Sequence, residues 1–183
     1  QDIKNSTGVC SMAMAHEQHI YPYPLTSPKL WKEYAKHTES IPNPHCYCLE
    51  YDGIALKTFF DSAENDKFSH NRVEYSDNNT VLITVRDYQD KLKDEEDIKF
   101  YSKIRKAASV KTTQWSDEVE YRFFSRGVGL YSFPIDALKT IYVPHTPNKS
   151  TRDPLFDILN YTYPKVQKVE VLIENQSVGF KVL

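Results

Sequence analysis

The chain has 183 residues, of which 40% are hydrophobic and 26% are charged, as is typical of a globular protein that has a core of its own. Its formal net charge of −2 gives no general attraction to nucleic acid or to an anionic membrane. No apolar run approaches the roughly 20 residues of a membrane-spanning helix, and no signal peptide is recognisable at the start. Three cysteines argue against a disulfide framework. These features predict a cytoplasmic protein without membrane association.

The first part of the chain is predicted to contain an irregular lead-in followed by a helix. Residues 1–26 show no clear pattern. Residues 27–39 are predicted to be helical, because Ser27 is a good capping residue and the proline that follows it suits the first helical position. We expect Trp31 and Tyr34 to share the helix face that packs against a sheet.

The rest of the chain is predicted to mix short strands with helices. In order, the elements are a strand at 45–52, a helix at 54–60, a strand at 72–75, helices at 80–92 and 94–109, a strand from residue 118, a hairpin turn at 127–129 leading into a strand at 130–133, a strand at 138–143, a helix at 151–161, and strands at 169–173 and 178–183. Most strands are late and adjacent, which favours the α+β class. We therefore predict a single domain over 1–183 with helices packed on a mixed or mostly antiparallel sheet.

The predicted strand from residue 118 places charged residues at alternate positions. Glu118, Glu120 and Arg122 alternate with Val119, Tyr121 and Phe123. Side chains two apart on a strand point the same way and are about 7 Å apart, so the two acids and the arginine are predicted to share one face. Such a face is either a functional site or the solvated side of an antiparallel strand.

Other motifs exclude several classes of site. There is neither a glycine-rich phosphate loop nor the nucleophile elbow of the α/β-hydrolases. Cys46 and Cys48 would lie about 7 Å apart on a strand, whereas two thiolates on one zinc ion lie roughly 3.8 Å apart, so they are interpreted as buried thiols. His16 and His19 are three residues apart, not the four of the zinc-protease motif. No metal site is predicted.

Four segments of the chain together resemble domain-of-unknown-function family 2971, which is found in bacteria and phages. In order they are Leu30-Trp31-Lys-Glu-Tyr34-Ala35-Lys-His37, Cys48-Leu49-Glu50-Tyr51-Asp52, Val73-Glu74-Tyr75, and Lys111-x-x-x-Trp115-x-x-Glu118-x-Glu120-Tyr121-Arg122. The resemblance covers roughly residues 10–145. The usual amino-terminal part of the family is not recognisable, so the resemblance implies either the C-terminal portion of a family member or a divergent member.

The resemblance implies a function through that amino-terminal part, which is similar to ADP-ribosyltransferase folds. In those folds a glutamate on a late strand stabilises the oxocarbenium-like state as nicotinamide leaves NAD. Glu120 is then the first choice for the catalytic acid and Glu118 the second. The substrate-binding residues implied are Arg122, His37, Tyr75 and Trp115, in a shallow pocket.

The resemblance thus implies a toxin or defence domain of a bacterial or phage conflict system. NAD is its candidate substrate, a macromolecule its candidate target, and no cofactor is expected to be bound tightly. The alternative is a non-catalytic binding domain in which the charged face recognises a nucleotide, a nucleic acid or a protein partner. The sequence leaves both open.

Overall fold

The computed structural model describes residues 7–14, 25–36, 46–62, 68–78, 83–91, 97–127, 129, 132–145, 149–174 and 177–183. In chain order its elements are β1 (Thr7–Ala13), α1 (Pro28–Ala35), β2 (Cys48–Tyr51), α2 (Gly53–Ser62), β3 (Phe68–Arg72), β4 (Glu74–Tyr75), α3 (Val85–Lys91), α4 (Asp97–Ala108), β5 (Val110–Lys111), β6 (Glu120–Arg126), β7 (Leu138–Pro144), α5 (Lys149–Thr162), β8 (Gln167–Glu174) and β9 (Ser177–Val182). Two 3₁₀ helices, Thr113–Glu118 and Ile135–Ala137, precede β6 and β7.

The predicted α+β class, with packed helices and mostly antiparallel strands, is confirmed. The described strands form three sheets, ordered β1-β6-β3, β2-β7-β8-β9 and β4-β5. The chain divides into two compact units built from interleaved segments: Gln1–Met14 with Glu64–Gly129, and Ala15–Ala63 with Leu130–Leu183. The assignment of residues 1–183 to one domain stays a prediction.

In the first unit, β6 is the central strand of an antiparallel sheet. It pairs with β1 on one side and with β3 on the other. The predicted strand at 72–75 is in fact divided between two sheets. β3 ends at Arg72, the buried Val73 donates its N–H to Glu120 O at 2.9 Å, and β4 then pairs in parallel with β5. This change of sheet carries Tyr75 to the start of β6.

In the second unit, the four-stranded sheet is covered on both faces. Successive residues of a strand point to opposite faces, and both faces of β7 are apolar. Tyr142 packs with Trp31 of α1, Val169 and Val171. Its neighbours Ile141 and Val143 pack with side chains of α5. Burial on both faces explains why β7 and β8 are the least exposed strands of this unit.

Helix α1 starts as predicted and ends four residues earlier. The Ser27 hydroxyl accepts a hydrogen bond from Leu30 N at 3.4 Å, and the helix stops at Ala35 because Lys36 adopts a left-handed conformation with φ 51°. Trp31 is 5% exposed, which confirms its predicted packing. Tyr34 is 65% exposed, so the prediction that it packs against the sheet is wrong. The buried stripe of this short helix is too narrow to include both residues.

The exposure of the side chains at β2 does not follow the alternation of apolar and polar residues in the sequence. Leu49 and Tyr47 are about half exposed, whereas Cys48 packs against the Trp31 core and Glu50 hydrogen-bonds Tyr142. β2 is the edge strand of its sheet, so one of its faces extends beyond the cover that α5 provides.

The lead-in predicted to be irregular over residues 1–26 contains strand β1, which forms by pairing with the distant β6, so that prediction is wrong at residues 7–13. Residues 1–6 and 15–24 lie outside the described residues. Of the predicted strand at 130–133, only residues 132 and 133 are described, and neither is in a strand.

Candidate functional site

Glu118 does not lie on the strand that was predicted to carry it. It is the last residue of the 3₁₀ helix Thr113–Glu118, and Val119 follows in a left-handed conformation with φ 45°. Only then does β6 begin, at Glu120. The prediction that Glu118 shares a strand face with Glu120 is therefore wrong. A β-branched residue adopts this left-handed conformation at an energetic cost. The alternation of charged and apolar residues gave no sign of it.

The 3₁₀ helix is held from outside by residues that follow β4. Its own capping position, Thr112, makes no side-chain cap. Instead Asp77 accepts a hydrogen bond from Thr113 N at 3.0 Å and another from the Thr113 hydroxyl. Ser76 N donates to Lys111 O at 2.9 Å. These contacts attach the 3₁₀ helix, which ends at Glu118, to the segment that follows β4.

Lys111 joins the two acids that the sequence alone placed on one face. Its ammonium pairs with Glu118 and lies 3.4 Å from Glu120 Oε2. The same nitrogen is 5.1 Å from the ring centroid of Trp115, within range of a cation–π contact. Glu118 and Glu120 are only 4% and 6% exposed. The charged group is therefore buried, and its interpretation as the solvated side of a strand does not hold.

Glu120 is clamped by Arg122, two residues along the same strand. Arg122 Nε donates to Oε1 at 2.7 Å and Nη2 donates to Oε2 at 2.9 Å, the bidentate geometry of strong arginine–carboxylate pairs. Arg122 also donates to the carbonyl oxygen of Ala108. The backbone N–H of Glu120 donates to the hydroxyl of Tyr75 at 2.8 Å. Both the side chain and the backbone of Glu120 are thus fixed. We call Lys111, Glu118, Glu120 and Arg122 the Lys111 cluster.

The electrostatic environment keeps Glu120 ionised. Burial raises the pKa of its carboxyl, but hydrogen bonds from Arg122 and Ser11 and the charges of Arg122 and Lys111 outweigh burial, so the pKa is lowered. Hydrogen bonding to Glu120 raises the pKa of Arg122. Burial is also the main cause that raises the pKa of Tyr75. At neutral pH, therefore, a charged carboxylate faces two cations beside a protonated phenol.

This arrangement can supply fixed negative charge, but it is poorly suited to accept a proton at neutral pH. A general base works best when its pKa is near the working pH, and the pKa of Glu120 is shifted the other way. A rigid, ionised carboxylate can instead stabilise positive charge that develops in a transition state. The two cations of the cluster match the two acids, which reduces the field that Glu120 can exert.

The structure brings together most of the predicted site residues. Glu120, Arg122 and Tyr75 are in direct contact, and Glu118 and Trp115 join them through Lys111. His37 lies outside the described residues. Lys111 was missed as a site residue, although it is part of the segment that carried the family resemblance. No local signal indicated that it would contact both acids, because they are seven and nine residues away.

Among the described residues, no group of three or more histidines, cysteines, aspartates or glutamates is arranged to hold a metal ion. Cys46 and Cys48 are partly buried and are not joined in a disulfide, and burial, with lesser contributions from the charges of Glu50 and Cys46, raises the pKa of Cys48 to about 11. None of the described helices is long and apolar enough to cross a membrane.

Comparison with known proteins gives one match. A family model described as "Protein of unknown function (DUF2971)" matches residues 30–123, half of the chain, and all four segments that carried the resemblance lie within that range. The match does not bear out the assignment to the C-terminal portion of the family, and it gives no support to a likeness to ADP-ribosyltransferases. Neither the curated proteins nor the solved structures give a match.

Proposed function

The chain belongs to the DUF2971 family of proteins of unknown function, and from this premise and the geometry of the Lys111 cluster we propose that it is an ADP-ribosyltransferase-like enzyme of a bacterial or phage conflict system that acts on NAD. One observation carries the proposal. Glu120 is a buried, ionised carboxylate held rigidly at the start of a late strand, the kind of position that the resemblance implies for the catalytic acid.

The chemistry assigned to Glu120 is electrostatic. When the bond between the ribose C1′ and the nicotinamide nitrogen breaks, nicotinamide leaves with the bonding electron pair, and positive charge develops on the ribose. A fixed carboxylate near C1′ stabilises that charge. A nucleophile of the target then attacks C1′. Arg122 holds the carboxylate in one orientation through two hydrogen bonds, so little reorganisation is needed during the reaction.

The other residues of the site have supporting roles in the proposal. Arg122 acts on Glu120 and so is a positioning residue. Glu118 neutralises Lys111, to which it is paired. The half-buried rings of Trp115 and Tyr75 are the surfaces proposed to contact the substrate.

The test is transfer of label from NAD. Wild-type protein incubated with NAD labelled in the adenylate part and with cell extract should label a macromolecule, and the Glu120→Gln variant should not. Glutamine keeps the size of the side chain and can still accept hydrogen bonds, but it lacks the charge that stabilises the oxocarbenium-like state. The measurement is label retained on protein or nucleic acid after denaturing electrophoresis.

The matched control is Glu33→Gln, which removes an exposed carboxylate on α1 and should label as the wild type does. Circular dichroism must show that both variants are folded. Equal labelling by the wild type and the Glu120→Gln variant would remove Glu120 from the mechanism. No labelling by any of the three proteins would argue against the enzyme.

A second candidate function is a non-catalytic binding domain, and one observation favours it. Both acids of the Lys111 cluster are already paired with cations, as in a group that stabilises a surface and does not react. In that case the exposed residues around the 3₁₀ helix Thr113–Glu118 contact a partner. This candidate would be supported if the wild type transfers no label from NAD but binds a nucleotide, a nucleic acid or a protein partner.

A further inference from the structure

A polar cavity of about 470 Å³ opens in the second unit, which does not contain the Lys111 cluster. Its volume is within the range of about 300–1,000 Å³ that is usual for small-ligand pockets. The lining residues are Glu50, Leu138, Lys139, Thr140, Tyr142, Lys165 and Gln167. Six of these seven carry polar or charged side chains, which favours a polar ligand.

The register of the sheet aligns three of the polar lining residues. Glu50 of β2 is opposite Thr140 of β7, which is in turn opposite Gln167 of β8. Two residues along each strand, the next row on the same face is Cys48, Tyr142 and Val169, which belongs to the core beneath α1. We call Glu50, Thr140 and Gln167 the polar row. It lies on the same face of the sheet as this core, just beyond the core's edge. A carboxylate, a hydroxyl and an amide therefore lie side by side at this place.

The Tyr142 hydroxyl and the Lys139 ammonium are each held in place by a contact with a carboxylate. The hydroxyl of the buried Tyr142 donates to Glu50 Oε2 at 2.7 Å, and burial together with this contact raises the pKa of Tyr142, so the phenol remains protonated and remains a donor. Lys139 Nζ is 3.1 Å from Asp52 Oδ2. Asp52 is itself fixed, because its Oδ1 accepts hydrogen bonds from the N–H groups of Ile54 and Ala55 in the first turn of α2.

Lys165 and Glu50 are the two charged lining residues that no oppositely charged side chain neutralises within the described parts of the chain. Lys139 is neutralised by Asp52, but within the described parts of the chain no carboxylate pairs with Lys165, which is exposed. A ligand with an anionic group would complete this pairing. The polar row offers the complementary contacts, since a carboxylate accepts hydrogen bonds from hydroxyl groups and the amide and hydroxyl can both donate and accept.

We propose that this cavity binds a small ligand that carries an anionic group beside several hydroxyl groups, with Lys165 pairing with the anion and with Glu50, Thr140 and Gln167 holding the hydroxyls. A sugar phosphate and a sugar acid share this chemistry. The proposal does not depend on the function proposed for the Lys111 cluster, because the residues belong to a different unit.

The test is calorimetric titration of the whole chain with four probes: ribose 5-phosphate, gluconate, ribose and inorganic phosphate. Ribose 5-phosphate or gluconate should bind saturably and more tightly than ribose or inorganic phosphate. Which of the two binds identifies the anion. Saturable binding of neither would overturn the proposal, and so would equal affinity for ribose 5-phosphate and inorganic phosphate, because the hydroxyls would then contribute nothing.

Variants test the residue that pairs with the anion and a residue that binds the hydroxyls separately. Lys165→Gln should weaken binding of the preferred anion about tenfold, equivalent to about 1.4 kcal/mol. Glu50→Gln keeps an acceptor for Tyr142 but loses the charge, so it should weaken binding of ribose and should not weaken binding of inorganic phosphate, from which it removes a repelling charge. The control Lys32→Gln removes an exposed lysine of α1 and should change nothing. Equal affinities for Lys165→Gln and the wild type would overturn the role given to Lys165.

Discussion

Single side chains of α1 have very different roles although they are close in sequence. Trp31 lies in the core of the second unit, and its Nε1 donates to Leu25 O at 2.8 Å, so a large apolar ring is buried and its one polar atom is satisfied. Tyr34, three residues later, is exposed. Stability should therefore depend on the first aromatic residue and hardly on the second.

We predict that Trp31→Phe lowers the free energy of unfolding by about 1–3 kcal/mol, because it loses the hydrogen bond to Leu25 and leaves part of the indole volume empty. Tyr34→Ala should stay within about 0.5 kcal/mol of the wild type. Urea unfolding followed by circular dichroism measures both. A cost for Tyr34→Ala as large as that for Trp31→Phe would contradict the assignment of the buried face of α1.

At the scale of elements, the start of β6 depends on charge pairing as well as on strand pairing. The left-handed Val119 separates the 3₁₀ helix from the strand. Lys111 from β5 nevertheless contacts an acid on each side of Val119. Val119 O also accepts a hydrogen bond from Met14 N at 2.9 Å, just after β1. Acid should weaken this junction, because protonated carboxyls lose their ion pairs.

We predict a pH-dependent contribution from Glu120. Its pKa in the folded protein is lowered below the value of about 4.3 for an unfolded glutamate. Its stabilisation is therefore fully present above about pH 4.3 and is lost as the pH falls through the folded pKa. Glu120→Gln should cost about 1.5–3 kcal/mol at pH 7, the usual size for hydrogen bonds to charged groups.

The measurement is urea unfolding of both proteins at several pH values between 7 and 3. The difference between wild type and Glu120→Gln should shrink as the pH falls below about 4.3. Glu33→Gln, which lacks an exposed carboxylate, should follow the wild type throughout. A gap that stays constant down to pH 3 would show that the Glu120 charge adds no stability.

At the scale of the molecule, the family match and the two compact units divide the chain differently. The match at residues 30–123 takes in α1, β2 and α2 from the second unit as well as most of the first. The Lys111 cluster lies wholly within the matched range. The polar cavity draws only Glu50 from it, and the other lining residues follow residue 123. The two proposed sites can therefore be tested one at a time.

We predict that NAD raises the melting temperature of the whole protein if the enzyme proposal is right, because a ligand that binds the folded state stabilises it. At about ten times its Kd, NAD should add about 1.4 kcal/mol, a rise of roughly 3–6 °C for a chain of this size. ADP-ribose, other nucleotides and short RNA complete the panel. The Lys165→Gln variant, tested in parallel, shows whether the cavity contributes to the response.

The outcomes separate the two candidate functions. A rise with NAD that persists in Lys165→Gln supports the enzyme. A response to nucleotides or RNA without one to NAD favours the binding domain, and no response to any member of the panel leaves a protein partner as the remaining ligand of the second candidate.

Local patterns in the sequence determined the α+β class, most elements and the family. Helix α1 was predictable because Ser27 and the proline after it are local signals, and strands β7 and β8 were predictable because their residues are buried on both faces. The order and spacing of the family segments also indicated Arg122 and Tyr75 as neighbours of Glu120, but they did not indicate Lys111.

Only the tertiary structure decided how those residues meet. The alternation of charges predicted a regular strand through Glu118, but Asp77, 36 residues before Thr113, stabilises a 3₁₀ helix there instead. Lys111 links two acids that lie on either side of the left-handed Val119. The row of Glu50, Thr140 and Gln167 exists because three distant strands pair in one register. Contacts between residues far apart in sequence set these features, and local periodicity contains no information about them.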